Sequence, residues 1–338
     1  MSHFISLLPD LPPIYRGGLA PATYSAYRRA VDHFMRDCNM TYKYLRRLTS
    51  NSIDRNFARW VERQFDWHGA RSIQRCENAH NGLQLFLPKT KKRLGRGAVA
   101  LRSWRRQKDT VSYPPIPRNI ATLLAAHLAR RGELDAALAV LLSFDCYLRI
   151  NECLSLRRRD VRIPTDRRIG EPYQHCALFL RKTKTGKNLS VEVFDPAIAR
   201  LLHRRMLSLP ADDSHFFSFS EATFRDTHVK GTLAQLGLGD LHFVPHSFRH
   251  GGATHDFVSR RMPADYVRHR GRWRSQQSAD RYMQQLAAVD LTFSVPAELD
   301  LQGAAIWNGL EVVMDAASDA ASWPSLPPLD EDLSASRC

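Results

Sequence analysis

The segment Val111–Pro117 constrains this chain most, because it reads Val-Ser-Tyr-Pro-Pro-Ile-Pro. Its three prolines cannot continue a helix, since each lacks a backbone N–H and restricts the residue before it. Helical patterns lie on both sides of the segment. We therefore predict a stiff linker over 111–117 that separates two helical domains.

The first domain is predicted over 21–110, after an extended Pro/Gly-rich segment at 1–20. Apolar residues recur at helical spacing from Thr23, which is predicted as an N-cap. The pattern returns at three later places, which are 52–65, 72–86 and 98–108. These patterns indicate a small helical domain.

The second domain is predicted over 118–290 as helices with one small β-hairpin. Residues 134–148 are too apolar for a surface helix and are expected to be buried. The hairpin strands are Ala177–Arg181 and Leu189–Val193, on either side of Thr185-Gly186. Further helices are predicted near 120–128, 196–207, 224–236, 246–259, 263–269 and 278–288. The fold class is therefore mainly α, with a small β-hairpin or sheet.

The C-terminal part divides into a helix over 291–316 and an acidic tail over 317–338. Apolar residues of the helix have partly helical spacing, which predicts packing against its own domain. The tail is rich in Ser, Pro and Asp and is predicted to be disordered.

The charge distribution points to a polyanionic partner. The chain has 49 Lys+Arg against 34 Asp+Glu, a formal charge of +15. Residues 285–338 hold nine acids and one base, so the rest of the chain carries +23. Nucleic acid is the simplest such partner, although a basic protein without one has the same composition.

The cysteines and the absence of long apolar runs indicate an intracellular protein. The six cysteines form no CxxC pair, which is typical of a reducing compartment. No secretory signal and no membrane-spanning run is apparent in the sequence. The expected location is the nucleus in a eukaryote, or the cytoplasm and nucleoid in a prokaryote, with no membrane partner.

Arg149 directly follows the predicted buried helix, and Glu152 lies three residues on. A guanidinium there loses hydration unless an anion meets it, and Glu152 can hold it in one orientation. The pair indicates either an anion site or a structural ion pair at a helix junction.

The predicted hairpin turn reads Arg181-Lys182-Thr183-Lys184-Thr185-Gly186-Lys187. A lysine on such a tip can contact a phosphate and donate a proton to a leaving oxygen. A solvated basic turn has the same sequence, so this motif is weak by itself.

His246 and Arg249 lie three apart at the start of a predicted helix that begins with Pro245. The positive end of a helix favours a phosphate, which Arg249 can clamp while His246 transfers a proton. The alternatives are a core histidine beside a surface arginine, or a zinc site with His250 and His255. The zinc site lacks supporting cysteine spacing.

The last motif is an arginine-rich stretch that ends at Tyr282, nine residues after Trp273. A phenol needs neighbouring cations or a base to attack as a nucleophile at neutral pH. The indole N–H of Trp273 can donate to a phosphate oxygen. A half-buried core tyrosine is the alternative for Tyr282.

Taken in order, these motifs resemble the tyrosine recombinase, or phage integrase, family. That family has an arginine after an apolar helix with an acid three on, a hairpin lysine, His-x-x-Arg, a later His or Trp, and a tyrosine. The matching residues are Arg149, Glu152, Lys184, His246, Arg249, Trp273 and Tyr282. The resemblance covers roughly residues 117–288, and the first domain looks like the family's core-binding domain.

The resemblance implies a site-specific recombinase in which Tyr282 attacks a DNA phosphodiester and forms a 3′-phosphotyrosyl bond. It implies that Arg149 and Arg249 bind the non-bridging oxygens and that Lys184 protonates the departing 5′ oxygen. Strand exchange and religation follow on double-stranded DNA within a dimer or tetramer. The resemblance also implies that the helix over 291–316 docks on a neighbouring subunit instead of its own domain. No metal, ATP or other cofactor is expected.

The same resemblance gives the remaining residues supporting roles. His246 assists proton transfer at the tyrosine, Trp273 donates to the phosphate, and Glu152 orients its neighbours. Gly271-Arg272-Trp273 replaces the family's usual Leu-Gly-His, so alignment on the glycine selects Arg272 instead. This form looks like recombinases of eukaryotic mobile elements. Lys182 and Lys187 are rivals to Lys184.

A basic cluster in the first domain is predicted to line the DNA. It comprises Lys89, Lys91, Lys92, Arg93, Arg96, Arg102, Arg105, Arg106 and Lys108. Residues 88–93 of this cluster also fit a nuclear localisation signal. Two functional alternatives remain: DNA relaxation of the type IB topoisomerase kind, and a sequence-specific DNA-binding protein without catalysis.

Overall fold

A computed structural model describes residues 8–16, 18–68, 73–107, 113–165, 168, 170–183 and 186–326. The chain divides into two compact units, Met1–Val111 and Ser112–Cys338. The boundary lies within the proline-rich segment.

The first unit is helical. Its helices are α1 (Pro21–Asp37), α2 (Tyr42–Arg47), α3 (Ser50–His68), α4 (Ile73–Phe86) and α5 (Gly95–Gln107). The core centres on Phe34, Phe57 and Trp60, whose rings meet at centroid distances of 5.4–5.8 Å. Helix α1 crosses α4 closely at Gly82, where a Cβ would lie 2.6 Å from Val31.

Two details of the first unit differ from prediction. Helix α1 begins at Pro21, with Ala20 as its N-cap, rather than at Thr23. Residues Pro13–Arg16, which lie in the segment predicted to be extended, form a 3₁₀ turn instead. Leu8 is buried, and Asp10 accepts a hydrogen bond from the Tyr24 hydroxyl at 2.7 Å.

The second unit contains the remaining helices and the sheet. Its helices are α6 (Arg118–Arg130), α7 (Leu134–Asp145), α8 (Ile150–Leu154), α9 (Pro196–Ser208), α10 (Glu221–Thr223), α11 (Thr232–Gln235), α12 (Pro245–Val258), α13 (Ala264–Arg270), α14 (Gln276–Asp280), α15 (Gln285–Ser294), α16 (Ala297–Asn308) and α17 (Leu310–Ala320). A π-helical stretch, Phe224–Gly231, joins α10 to α11.

Helix α7 forms the centre of the second unit, and every residue from Ala136 to Asp145 is buried, as its composition predicts. Helix α12 packs against it through two glycines. A Cβ at Gly252 would lie 2.0 Å from the Phe144 carbonyl oxygen, and one at Gly251 would lie 2.1 Å from that of Ile116. These contacts bring the start of α12 beside the end of α7.

The sheet has three antiparallel strands in the order β1 (Val161–Arg162), β2 (Ala177–Lys182) and β3 (Lys187–Glu192). Strands β2 and β3 confirm the predicted hairpin, whereas β1 was not predicted. The hairpin closes where Thr183 N–H donates to the Gly186 carbonyl at 2.8 Å.

The segment after α15 packs on its own unit. In α16, a Cβ at Gly303 would lie 2.1 Å from the Asn119 carbonyl oxygen, so this helix lies directly on the start of α6. Helix α17 is held by Arg204, which pairs with Asp319 at 2.5 Å. The prediction of disorder from residue 317 is therefore wrong for 317–320, which belong to α17, and 327–338 lie outside the described residues.

The described cysteines form no disulfide. Within the described part of the chain, no helix combines the length and apolarity needed to span a bilayer.

Candidate active site

Arg149 and Glu152 form the first corner of the site. Helix α7 ends at Asp145, and Tyr147 adopts a φ of 48° that turns the chain back before Arg149 caps α8. The Glu152 carboxylate accepts from Arg149 Nη1 at 2.6 Å and from the Arg149 backbone N–H at 3.1 Å. The structure thus forms the predicted pair and fixes both the backbone and the guanidinium of Arg149.

Arg249 lies on the first turns of α12 and is completely buried. Its guanidinium donates to the Tyr147 carbonyl and, at 2.6 Å, to the Gly271 carbonyl. It also lies 3.9 Å from Glu152. The Nε atom finds no hydrogen-bond partner among the described residues. The second arginine is therefore oriented by backbone carbonyls and keeps one donor unused.

In the Gly271-Arg272-Trp273 sequence, the side chains of Arg272 and Trp273 contact different groups of the site. Arg272 has a φ of 58°, and its guanidinium donates to Glu152 at 3.0 Å. The Trp273 ring instead lies 4.5 Å from the Tyr282 ring and 4.6 Å from the Arg249 guanidinium carbon. A Cβ at Gly271 would lie 1.8 Å from the indole, so only glycine leaves room for it.

Trp273 carries an unused donor beside the tyrosine. The indole is 5% exposed, and its Nε1 atom has no hydrogen-bond partner within the described ranges. A buried N–H without a partner is costly unless a ligand satisfies it. Arg272, by contrast, donates into the protein through both terminal nitrogens, while its Nε has no partner among the described residues.

Tyr282 lies on a turn between α14 and α15, so the predicted continuous helix over 278–288 is wrong. Thr254 explains the break. Its hydroxyl donates to the Tyr282 carbonyl at 2.7 Å and accepts from the Gln284 N–H at 3.1 Å. One side chain of α12 thereby satisfies backbone groups that a continuous helix would have paired.

The Tyr282 hydroxyl lies 3.1 Å from Nε2 of His246. Its ring is stacked on His250 at a centroid distance of 4.3 Å. From the sequence, His250 was predicted only as an alternative zinc ligand. Its position four residues after His246 indicates the observed arrangement, because this spacing puts both rings on one face of α12.

The histidines of the site are neutral at pH 7. Burial, with Arg249 and Arg149 nearby, lowers the pKa of His246 to about 4. Burial, with His246 and Arg249 nearby, lowers the pKa of His250 to about 3. A neutral imidazole can accept a proton from the Tyr282 hydroxyl, whereas an imidazolium cannot.

The charged groups remain ionised despite their burial. Burial and the neighbouring Arg272 and Arg149 lower the pKa of Arg249 to about 9, so it is still a cation at neutral pH. Burial alone would raise the pKa of Glu152, but Arg272 and the other arginines bring it below its usual value. The site therefore combines a positive cluster, an unused indole N–H and a phenol beside a neutral base.

The predicted lysine cannot be placed. Lys184 lies outside the described residues. Its rivals Lys182 and Lys187 end β2 and begin β3 and are paired in register. The choice among the three remains a prediction.

Most of the predicted DNA-binding cluster lies on or just before α5 in the first unit. All eight described members are exposed: Lys89, Lys91, Lys92, Arg93, Arg96, Arg102, Arg105 and Arg106. Two of them have local partners. Lys89 donates to the carbonyls of Arg46 and Leu48, both at 2.5 Å, and Arg105 pairs with Glu77. Lys108 lies outside the described residues.

The described residues contain no group of three His, Cys, Asp or Glu side chains arranged to hold a metal. The His246 and His250 rings are 5.1 Å apart, but His255 lies against Phe144 at 6.0 Å. The zinc alternative of His246, His250 and His255 therefore has no support in this geometry.

Comparison with known proteins identifies one matching family model, the phage integrase family, over residues 117–288. No curated protein matches the sequence.

Several solved structures are similar to this one. The XerH site-specific recombinase, bound to its palindromic difH substrate in a post-cleavage complex, is 13% identical with a TM-score of 0.51, over 81% of this chain and 79% of that one. The pre-cleavage XerH complex with difH is 13% identical with a TM-score of 0.46, over 80% and 78%. The XerA recombinase is 17% identical with a TM-score of 0.41, over 84% and 95%. The first of these shows that the fold is shared.

Proposed function

This chain belongs to the phage integrase family, the tyrosine recombinases, and from this membership we propose that it cleaves and rejoins DNA at specific sites through Tyr282. The observation that carries the proposal is the 3.1 Å separation between the Tyr282 hydroxyl and Nε2 of His246, beside buried Arg249. These groups supply a nucleophile, a base and a phosphate-binding cation at one place.

In the proposed reaction, the phenol oxygen of Tyr282 attacks the scissile phosphorus while neutral His246 takes the phenol proton. The bond to the 5′ oxygen breaks and leaves a 3′-phosphotyrosyl ester. Attack of a 5′ hydroxyl from the partner strand then reverses these steps and restores a phosphodiester. Because the ester keeps the bond energy, the cycle requires no ATP.

Arg149 and Arg249 are proposed to bind the non-bridging oxygens, whose negative charge grows in the pentacoordinate transition state. The unused Trp273 N–H is proposed to donate to one of the same oxygens. Glu152 holds Arg149 in place. These cations take the role of a divalent metal, so none is required. Lys184 is proposed to protonate the departing 5′ oxygen.

The exposed basic residues of the first unit are proposed to contact the phosphates of double-stranded DNA. Eight exposed cations, at positions 89, 91, 92, 93, 96, 102, 105 and 106, support this. Neutralising phosphates releases counterions, so binding should weaken steeply with added salt.

We also propose self-association as a dimer or tetramer on DNA. Helix α15 presents an apolar face to solvent, with Leu286 82%, Val289 54% and Phe293 85% exposed. Such a face is unusual on a monomer and suits contact with a second protomer. Sedimentation of DNA-bound wild type and Phe293→Glu protein tests this, because the variant should remain smaller.

The function is tested with a pool of nicked, random-sequence duplexes. Cleavage near the nick releases a short fragment that diffuses away, so religation is prevented and the protein stays covalently bound to the DNA. The protein is incubated with the pool in EDTA and then denatured. Covalent adducts enriched for one sequence are expected. Adducts without sequence preference, together with plasmid relaxation, would indicate a topoisomerase. Sequence-specific binding without an adduct would indicate a DNA-binding protein that has no catalytic activity.

A further inference from the structure

Arg272 is a buried cation of the site that has no part in the mechanism above. Its side chain is 5% exposed. Its guanidinium donates to Glu152 and to the Tyr147 carbonyl, both at 3.0 Å, and to the carbonyls of Arg270 at 3.1 Å and Cys146 at 3.3 Å. These four hydrogen bonds fix the guanidinium against the protein, and its Nε has no partner among the described residues.

Glu152 is the point where three guanidinium groups meet. Its carboxylate lies 2.6 Å from Arg149, 3.0 Å from Arg272 and 3.9 Å from Arg249. Three cations and one anion give this cluster a formal charge of about +2, whereas Arg149, Arg249 and Glu152 without Arg272 would carry about +1.

The negative charge of the reacting phosphate increases during the proposed reaction. A phosphodiester carries one negative charge, and its pentacoordinate transition state carries about two. A cluster with a formal charge of +2 therefore complements the transition state better than the ground state. Such preferential stabilisation of the transition state accelerates the reaction rather than tightening substrate binding.

We propose that Arg272 is a positioning residue that holds Glu152 and the Tyr147 carbonyl in place and supplies the third positive charge behind the scissile phosphate. The inference rests on the proposed function, since it concerns the same site. Tyr147 links the parts, because its carbonyl also accepts from Arg249. Loss of Arg272 should therefore reduce the stabilisation of the transition state without removing a contact to DNA.

The test compares Arg272→Met and Arg272→Lys with wild type on the duplex selected above. Single-turnover cleavage by Arg272→Met should be on the order of tenfold to a hundredfold slower, as for loss of one preorganised electrostatic group. DNA affinity should stay within about twofold, because the side chain does not face substrate. Arg272→Lys keeps the charge and should recover a large part of the rate.

A second substrate separates charge from folding. A methylphosphonate at the scissile position removes one negative charge from the reacting centre, so the Arg272→Met defect should shrink to within about threefold of wild type. A merely structural defect would slow both substrates equally. That result, or an Arg272→Lys protein as slow as Arg272→Met, would overturn the proposal.

Arg205→Met is the matched control. Arg205 is 17% exposed, pairs with Asp135 at 2.8 Å and donates to the Phe216 carbonyl, away from the site. Any loss it causes should be the same on both substrates. Adduct formation by the wild-type protein tests the proposed function. The role of Arg272 is tested separately, by comparing the variant-to-wild-type rate ratio on the phosphodiester with that on the methylphosphonate.

Discussion

The imidazole of His246 lies edge to face against the ring of Tyr282, with Nε2 3.1 Å from the phenol oxygen. His250 stacks on the same ring at a centroid distance of 4.3 Å. Tyr282 is therefore contacted by two neutral histidines from consecutive turns of α12, the helix that also carries Arg249. Because they share one helix, the two histidines and Arg249 keep a fixed arrangement beside Tyr282.

Replacement of Glu152 by Gln should destabilise the second unit by about 3 kcal/mol, because removal of one partner leaves buried charges uncompensated. Glu152 is 4% exposed at its side chain and faces three arginines. Urea denaturation measures the change. The control is Asp213→Asn, whose carboxylate is 63% exposed beside Arg157 and should cost less than about 1 kcal/mol. Equal losses in both variants would contradict the role given to burial.

Replacement of Gly271 by Ala should abolish most cleavage, because the new Cβ would lie 1.8 Å from the Trp273 ring. The indole must then move away from Tyr282 and Arg249. Trapping of the covalent adduct measures the loss. Gly239→Ala is a suitable control, since its nearest neighbour would be 3.8 Å away. A Gly271→Ala protein with wild-type cleavage would show that the indole position is unimportant.

Replacement of Trp273 by Phe should slow cleavage roughly a hundredfold, as expected for loss of one preorganised donor. Replacement by His keeps an N–H and should cost less than about tenfold. Single-turnover cleavage at saturating DNA gives both rates. If the two variants are equally slow, the indole contributes through packing and not through its unused N–H.

Buried neutral histidines should make the protein sensitive to mild acid. Burial, with Arg118 and Arg260 nearby, lowers the pKa of His255 to about 4, whereas an unfolded histidine titrates near 6.5. Between these values the unfolded chain binds the extra proton, so stability falls as the pH drops from about 6.5 toward 4.

His255→Gln should remove part of this dependence. The difference in unfolding free energy between pH 7.5 and 5.5 should shrink by about 1 kcal/mol, the contribution of one such histidine. Urea denaturation at the two values measures it. An unchanged difference would mean that His255 takes up a proton in the folded protein.

Much of the site follows from local sequence. Arg149 and Glu152 are three residues apart on a short helix, and His246 and Arg249 lie on the first turns of a helix that Pro245 begins. Spacings of three and four residues fix such side chains relative to one another whatever the rest of the fold does. The buried helix α7 and the β2–β3 hairpin were also predicted from local sequence, the first from its apolar composition and the second from strand patterns around Thr185-Gly186.

Other features depend on distant partners that local patterns do not contain. The helix pattern over 278–288 breaks at Tyr282 because Thr254 takes over its backbone hydrogen bonds. Helix α16 packs on α6 because Gly303 admits the Asn119 backbone. The contacts of Arg272 depend on the left-handed backbone at that residue, which the sequence Gly-Arg-Trp does not reveal.

Peptide mapping of the trapped adduct identifies the residue that is covalently joined to DNA, which we propose is Tyr282. The protein–DNA adduct is digested with protease and nuclease, and the modified peptide is sequenced by mass spectrometry. We expect a 3′-linked nucleotide on Tyr282 and no adduct from Tyr282→Phe protein that still binds the duplex. A nucleotide on another residue, or an adduct that persists in Tyr282→Phe, would contradict this proposal.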